Sequence, residues 1–242
     1  MRVLRDVFQT LWPPAGDRHG PLAPMMVALT FVTGVVDAAS YLKLGHVFVA
    51  NMTGNVVFLG FALAGASGLS AASSLIALAA FLLGARLGGW LVGRSPDHRG
   101  RMLRAASSAQ ALLVVLACLV ALSATEPLQQ DVRYALTLLL AMAMGAQNAS
   151  AQSVAVPELT TTVLTKTLTG IATEPGPLNA PGSRLGRRIV AIAAMLLGAL
   201  AGGLLALEVS VAAGLAVAAA VVLAVALSAH VASRSPAVWA QV

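Results

Sequence analysis

The chain has 242 residues, of which 58% are hydrophobic and only 10% charged, and its mean hydropathy is +0.86. A soluble domain carries about 25% charged residues, so a soluble enzyme or scaffold is excluded and the predicted fold class is an all-α, polytopic membrane helical bundle. The net charge of +6 does not point to nucleic acid, because the arginines sit in short loops between apolar spans, where they set orientation.

Residues 1–23 open with Val3, Leu4, Val7, Phe8, Leu11 and Trp12 at helical spacing, ahead of Pro13-Pro14. That pattern predicts a short amphipathic helix on the cytoplasmic membrane surface. A cleavable signal would need one continuous apolar core and a small-residue cleavage site.

Eight segments then compete to be membrane-embedded. Six are plainly apolar, at 24–42, 73–92, 105–124, 134–152, 189–207 and 209–231. Two are polar: 47–64 carries Asn51, Thr53, Gly54 and Asn55, and 158–173 carries Thr160, Thr161, Thr162, Thr165, Lys166, Thr167 and Thr169. If all eight crossed, the basic loops would be split between the two sides of the membrane. With the two polar segments re-entrant or broken, Arg2, Arg5 and Arg18, Arg94 to Arg104, Arg184 to Arg188 and Arg234 all fall on one side. The positive-inside rule therefore predicts six crossings with both termini cytoplasmic.

The segments also recur in order. Ala39-Ser40, Gly60 and Ala62 line up with Ala149-Ser150, Gly170 and Ala172, about 110 residues apart, and the Gly84–Gly88 motif lines up with Gly198–Gly202. The expected organisation is a first membrane repeat at 24–124, an external loop at 125–133, a second repeat at 134–231 and a cytoplasmic tail at 232–242. Three crossings per repeat is odd, so the second repeat is inverted relative to the first, an arrangement that places solute sites near the midplane. Gly84, Gly88, Gly198 and Gly202 form small-x-x-x-small motifs for close helix packing, either between the repeats or between two copies of the chain.

Asp37 lies well inside the first span. An intramembrane carboxylate must be paired, hydrated or protonated. Two roles stay open for it: part of a substrate or ion pathway, or a fixed ion pair with Arg86 or Lys166. Its repeat equivalent is read as Gln147, beside Asn148. Asn51, Thr53 and Asn55, matched by Thr161 and Thr165, offer neutral donors and acceptors to a polar solute, or equally bond between helices. Lys166 either attracts an anionic substrate, neutralises Asp37 or snorkels. Cys118, alone in an apolar run, supports neither a disulfide nor a metal site. The four histidines, His19, His46, His98 and His230, fall at segment ends or in loops with no metal-ligand spacing, so no catalytic residues, metal or cofactor are expected.

The runs from Gly34 to Gly45 (Gly-Val-Val-Asp-Ala-Ala-Ser-Tyr-Leu-Lys-Leu-Gly) and from Phe48 to Asn55 resemble the YoaK-like family of bacterial inner-membrane proteins. Met144 to Ser150 and Val156 to Gly170 fit the same family. The resemblance spans about residues 24–231. It implies a multi-pass protein of the bacterial cytoplasmic membrane and names no substrate. The functional expectation is a transporter or channel for a small polar or charged solute. The alternative is a non-transporting sensor or assembly module with structural polar groups. Expected partners are the lipid bilayer, a small-molecule or ion substrate and a second copy of the chain.

Overall fold

A computed structural model describes residues 2–14, 16–162, 164–173 and 184–241. Val163 in the predicted second polar segment, and 174–183 in the predicted second repeat, lie outside the described residues. Among those described, the elements are helical: α1 Arg2–Leu11, α2 Leu22–Lys43, α3 Met52–Leu63, α4 Ala71–Val92, α5 Arg99–Ser123, α6 Gln130–Val154, α7 Leu164–Ala172, α8 Leu185–Glu208, α9 Val211–Ala232 and a 3-10 turn Val238–Ala240. Only a helix satisfies every backbone amide within a single apolar segment, which is why Leu- and Ala-rich runs take this form in lipid. At the starts of two long helices a serine completes the first turn. The Ser70 and Ser210 hydroxyls accept from the amides of Ser73 and Ala213 at the starts of α4 and α9, satisfying amides with no intrahelical partner.

Among the described residues five helices are long and apolar enough to cross a membrane: α2, α4, α5, α8 and α9. The 25-residue α6 has the length of the sixth predicted crossing but is less apolar, because Gln147 and Asn148 sit within it. Its polarity points inward, with Thr137 and Gln147 fully buried. Leucines such as Leu82, Leu196 and Leu227 cover the outside of the bundle and are more than half exposed. An apolar exterior over helices of this length marks a membrane protein.

The six long helices run in two opposed sets. Phe31 and Val35 of α2 meet Gly198 and Gly202 of α8 in ascending order, and Met142 and Ala146 of α6 meet Gly84 and Gly88 of α4 likewise, so each pair is parallel. Arg99 and Gln110 of α5 bond Val154 and Gln147 of α6 in descending order, and Cys118 and Arg104 of α5 reach Ala212 of α9 and Ser233 just beyond it. These pairs are antiparallel. Helix α8 turns straight into α9 and packs on it, so those two are antiparallel as well, and the C-terminal ends of α2 and α6 lie at opposite ends of the bundle. One end gathers the arginines, including Arg18, Arg99, Arg184 and Arg187. The other, arginine-poor end carries Lys43, Glu126 and Arg133.

The tight approaches depend on missing side chains. A Cβ on Gly34 would meet the backbone of Met195 and Ala199, and one on Gly145 the backbone of Phe81 and Ala85. Gly84, Gly88, Gly198 and Gly202 all pack within the chain, α4 against α6 and α8 against α2.

Helix α1 packs on α8 and α2. Its apolar residues form the single stripe read from the sequence, with one edge against the bundle and the other outside it. Val3, Val7 and Leu11 are half-buried, while Leu4, Phe8 and Trp12 stay exposed, with Phe8 stacked on Trp12 at 5.3 Å. The short helices α3 and α7 pack on α4 and α8 respectively. Both start later than the predicted polar segments, because 45–51 and 155–162 are mostly non-helical.

Candidate functional site

After α2, Gly45 and His46 take positive φ of 100° and 54° and turn the chain back along the helix it has just left. The amides of Val49 and Ala50 donate to Asp37 Oδ1 at 2.9 and 2.8 Å, and Asn51 Nδ2 donates to Oδ2. Asp37 precedes the end of α2 by six residues, so the chain descends about 9 Å before α3 begins. Asn55, fully buried in the first turn of α3, clamps Phe48 from both sides. Its Oδ1 accepts from Phe48 N at 2.9 Å and its Nδ2 donates to Phe48 O at 2.6 Å. Tyr41, Phe48 and Phe58 stack around the turn at 5.1 and 5.7 Å. The sequence offered Arg86 or Lys166 as Asp37's partner. Both side chains are exposed instead, and the carboxylate serves backbone amides. The physical reason is that irregular backbone at this depth needs acceptors, and an ionised carboxylate at the start of a helix is a strong one.

The second polar segment makes a comparable turn with different chemistry. Ala155 ends α6 in the left-handed region at φ 50°, and Glu158 and Thr161 follow at 68° and 62°. Thr162 Oγ1 donates to Asn148 Oδ1 at 3.3 Å, again six residues before the end of its helix. Thr161 is buried and its hydroxyl has no hydrogen-bond partner. Glu158 accepts from Arg188 Nε at 3.0 Å and Nη2 at 3.2 Å, and Arg184 lies at 3.6 Å. Arg188 also donates to Gly170 O at 2.6 Å. Burial pushes the Glu158 carboxyl upward, but the hydrogen bond and charge of Arg188, joined by Arg184, outweigh it and hold the group below its ordinary 4.5.

Three predicted pathway residues do not join these clusters. Thr53, Thr165 and Lys166 are exposed, because α3 and α7 each pack through one side and these positions fall on the other. Deeper in the bundle, Gln147 accepts from Gln110 Nε2 at 2.5 Å and donates to Thr33 Oγ1 at 2.9 Å and Leu29 O at 3.4 Å. Gln110 Oε1 is buried with no partner. Sequence reading missed Gln110, whose only signal is an amide inside an otherwise apolar span.

Each turn opens on a polar cavity. At the arginine-poor end a space of about 570 Å³ is lined by Lys43, Gly45, His46, Glu126 and Arg133 among others. At the arginine-rich end a space of about 390 Å³ is lined by Asp6, Arg18, His19, Ala155, Pro157, Arg184 and Arg187. Behind it, buried Arg99 donates to Val154 O, through Nε at 2.8 Å and also through Nη2, closing the C-terminus of α6. Arg99 Nη2 also lies 3.2 Å from His19 Nδ1, so His19 accepts there and stays neutral. Burial, then the charges of Arg187 and Arg99, push the His19 pKa down to about 4. Among the described residues no cluster of three His, Cys, Asp or Glu is arranged to hold a metal.

A family model described as "Protein of unknown function (DUF1275)" matches residues 25–228. The UPF0700 transmembrane protein YoaK of Bacillus subtilis (strain 168) is 33% identical over 149 residues, covering 61% of this chain and 64% of that protein. The chain thus spans just under two thirds of that relative's length. No solved structure matches. With apolar helices of spanning length, two fold-back turns and a family match over most of its residues, the chain belongs to the DUF1275 family of YoaK-like membrane proteins.

Proposed function

We propose that this protein is a transporter or channel passing a small polar or charged solute between the two ends of the bundle. The observation that carries this reading is the pair of matched turns: Asn51 returns to Asp37 and Thr162 to Asn148, each across 14 residues, from opposite ends. Non-helical backbone at membrane depth is tolerated where it lines a cavity or is buried in protein, and transporter sites are built from such broken elements. On this reading the solute passes the buried, mutually bonded side chains of Gln110, Gln147 and Thr33, which must part to admit it.

We read the two halves as an inverted repeat, and the close helix approaches support this. Phe31, Gly34 and Val35 on α2 have counterparts Met142, Gly145 and Ala146 on α6, each 111 residues on, while Gly84 and Gly88 on α4 correspond to Gly198 and Gly202 on α8, 114 residues on. That register sets Asn148 opposite Asp37 and Thr162 opposite Asn51. Matching Ala-Ser pairs in the sequence gave Gln147 and Thr161, one residue too early, because small residues recur too often to fix a register. By the positive-inside rule the arginine-rich end is cytoplasmic, with both termini there, in a bacterial inner membrane. The same reading makes the protein non-enzymatic.

A structural role is favoured by one observation: both oxygens of Asp37, and both the oxygen and nitrogen of Asn55, are bonded within the chain. Osmotic reswelling of protein-loaded vesicles separates the readings. Transport requires that at least one of glycerol, urea or potassium formate with valinomycin re-enters, and that Gln110→Leu slows entry while remaining folded. If no solute enters the wild-type vesicles and Asp37→Asn only destabilises the protein, the polar groups are structural.

A further inference from the structure

The two half-helices differ at their inner ends. Before α3, Asp37 presents a carboxylate to the amides of Val49 and Ala50 and to Asn51. Before α7 the corresponding place is held by Asn148, which is neutral and engaged through its Oδ1 by Thr162. One residue before Thr162, the Thr161 hydroxyl is buried, at 4% exposure, with no partner. A helix N-terminus carries partial positive charge whose natural complement is an anion. The first half supplies that anion from its own sequence, and the second does not.

A second observation points the same way. The cavity reaching this segment through Ala155 and Pro157 is lined by Arg18, Arg184 and Arg187, and Arg187 Nε is buried without a partner. Asp6 also lines it, but its Oδ2 accepts from the Arg187 amide at 3.2 Å. Three arginines against one carboxylate leave the mouth net positive, and such a mouth concentrates anions.

We propose that the inner end of α7 binds a small monoanion of carboxylate size beside Asn148, which enters through the arginine-lined cavity and supplies the negative charge that Asp37 supplies in the other half. Asn148 Nδ2 and the Thr161 hydroxyl are its side-chain donors. A single negative charge is expected because one carboxylate, that of Asp37, serves the matching turn. The proposal deepens the transport reading and rests on it for movement, though not for binding.

The test uses the full chain, with melting temperature read in dodecyl maltoside and reswelling in phosphatidylcholine vesicles containing valinomycin. The probes are potassium formate and potassium nitrate, with potassium gluconate as the bulky control and glycerol and urea as neutral solutes. Formate and nitrate are expected to raise Tm, since a ligand that binds the folded state stabilises it, and to re-enter vesicles. Gluconate is expected to do neither. Asn148→Asp installs the missing carboxylate and is expected to abolish both responses while the protein stays folded. Should that variant fail to fold, Thr161→Val removes one donor and is expected to weaken the Tm response. Arg187→Gln is expected to slow anion entry on the order of tenfold. Responses unchanged in a folded Asn148→Asp variant, or in Thr161→Val, overturn the proposal, as does a wild-type protein indifferent to every monoanion. If glycerol or urea enters faster than into protein-free vesicles and no anion does, the transport reading stands and the anion site falls. If formate raises Tm but nothing enters, the site stands and transport falls.

Discussion

Segment 45–51 is fastened to α2 by Asp37, a carboxylate facing two backbone amides deep in the bundle. Segment 155–162 is fastened chiefly to α8, by Glu158 facing Arg188 near the arginine-rich end. One anchor is buried in the helical core and has no counter-cation among its hydrogen-bond donors. The other is an ion pair whose two side chains are 14% and 12% exposed. The contrast teaches that an acidic residue inside a span need not be a proton carrier or half of a salt bridge. It can be the acceptor that lets irregular backbone exist in an apolar medium.

The largest expected effect falls on the deep anchor. Asp37→Ala leaves the amides of Val49 and Ala50 without an acceptor, at about 1–3 kcal/mol for each buried donor, so the melting temperature in detergent should fall steeply. Asp37→Asn keeps one acceptor and should fall less. Equal melting of the alanine variant and the wild type would show that the amides find other acceptors.

Glu158→Gln loses charge-assisted bonds to Arg188 and is expected to cost about 1–3 kcal/mol, less than Asp37→Ala. It should also change the acid response. The folded protein holds the Glu158 carboxyl below 4.5, so its stabilisation is complete above 4.5 and is lost as the pH drops through the lower folded value. His19 acts in the adjoining window. Its pKa is about 4 folded against 6.5 ordinarily, so the fold favours the neutral ring, and stability declines as pH falls from 6.5 towards 4. Melting curves against pH should flatten in that upper window for His19→Gln and in the lower one for Glu158→Gln. Unchanged slopes would remove both groups from the acid response.

The smallest effect concerns the turns themselves. Gly45 and Ala155 begin the two fold-backs at φ 100° and 50°, but only the first is a glycine. A non-glycine residue in the left-handed region costs about 1–2 kcal/mol. Ala155→Gly should therefore stabilise the second turn and Gly45→Ala destabilise the first, shifting Tm in opposite directions. Shifts of the same sign would mean that side-chain contacts, not backbone conformation, dominate at these turns.

Composition and arginine placement made the helical membrane class legible before any coordinates, because hydropathy is a bulk property of each span. The polar segments were legible too, since Asn51, Asn55 and the threonine run stand out against apolar neighbours. Asp37's partners were not. Backbone amides are present at every non-proline residue, so no sequence pattern marks Val49 and Ala50 as donors. The unused helix faces at Thr53, Thr165 and Lys166 were hidden for a related reason. A short helix packed through one side exposes polar residues that look as functional as buried ones. Gln110 was overlooked inside a run read as generic, although a buried amide in such a run always needs a partner. Gly34 and Gly145, which fix how α2 meets α8 and α6 meets α4, declare themselves only through the neighbouring backbone.

The most direct test of two turns entering from opposite faces is labelling of single cysteines on intact cells with a membrane-impermeant maleimide. The background is Cys118→Ala, with His46→Cys, Ser67→Cys and Ala155→Cys made one at a time at exposed positions. The expected result is labelling at positions 46 and 67 from outside, and at 155 only after the membrane is opened. Labelling of positions 46 and 67 from opposite sides would mean that α3 crosses the membrane, which contradicts the paired fold-backs and the transport reading built on them.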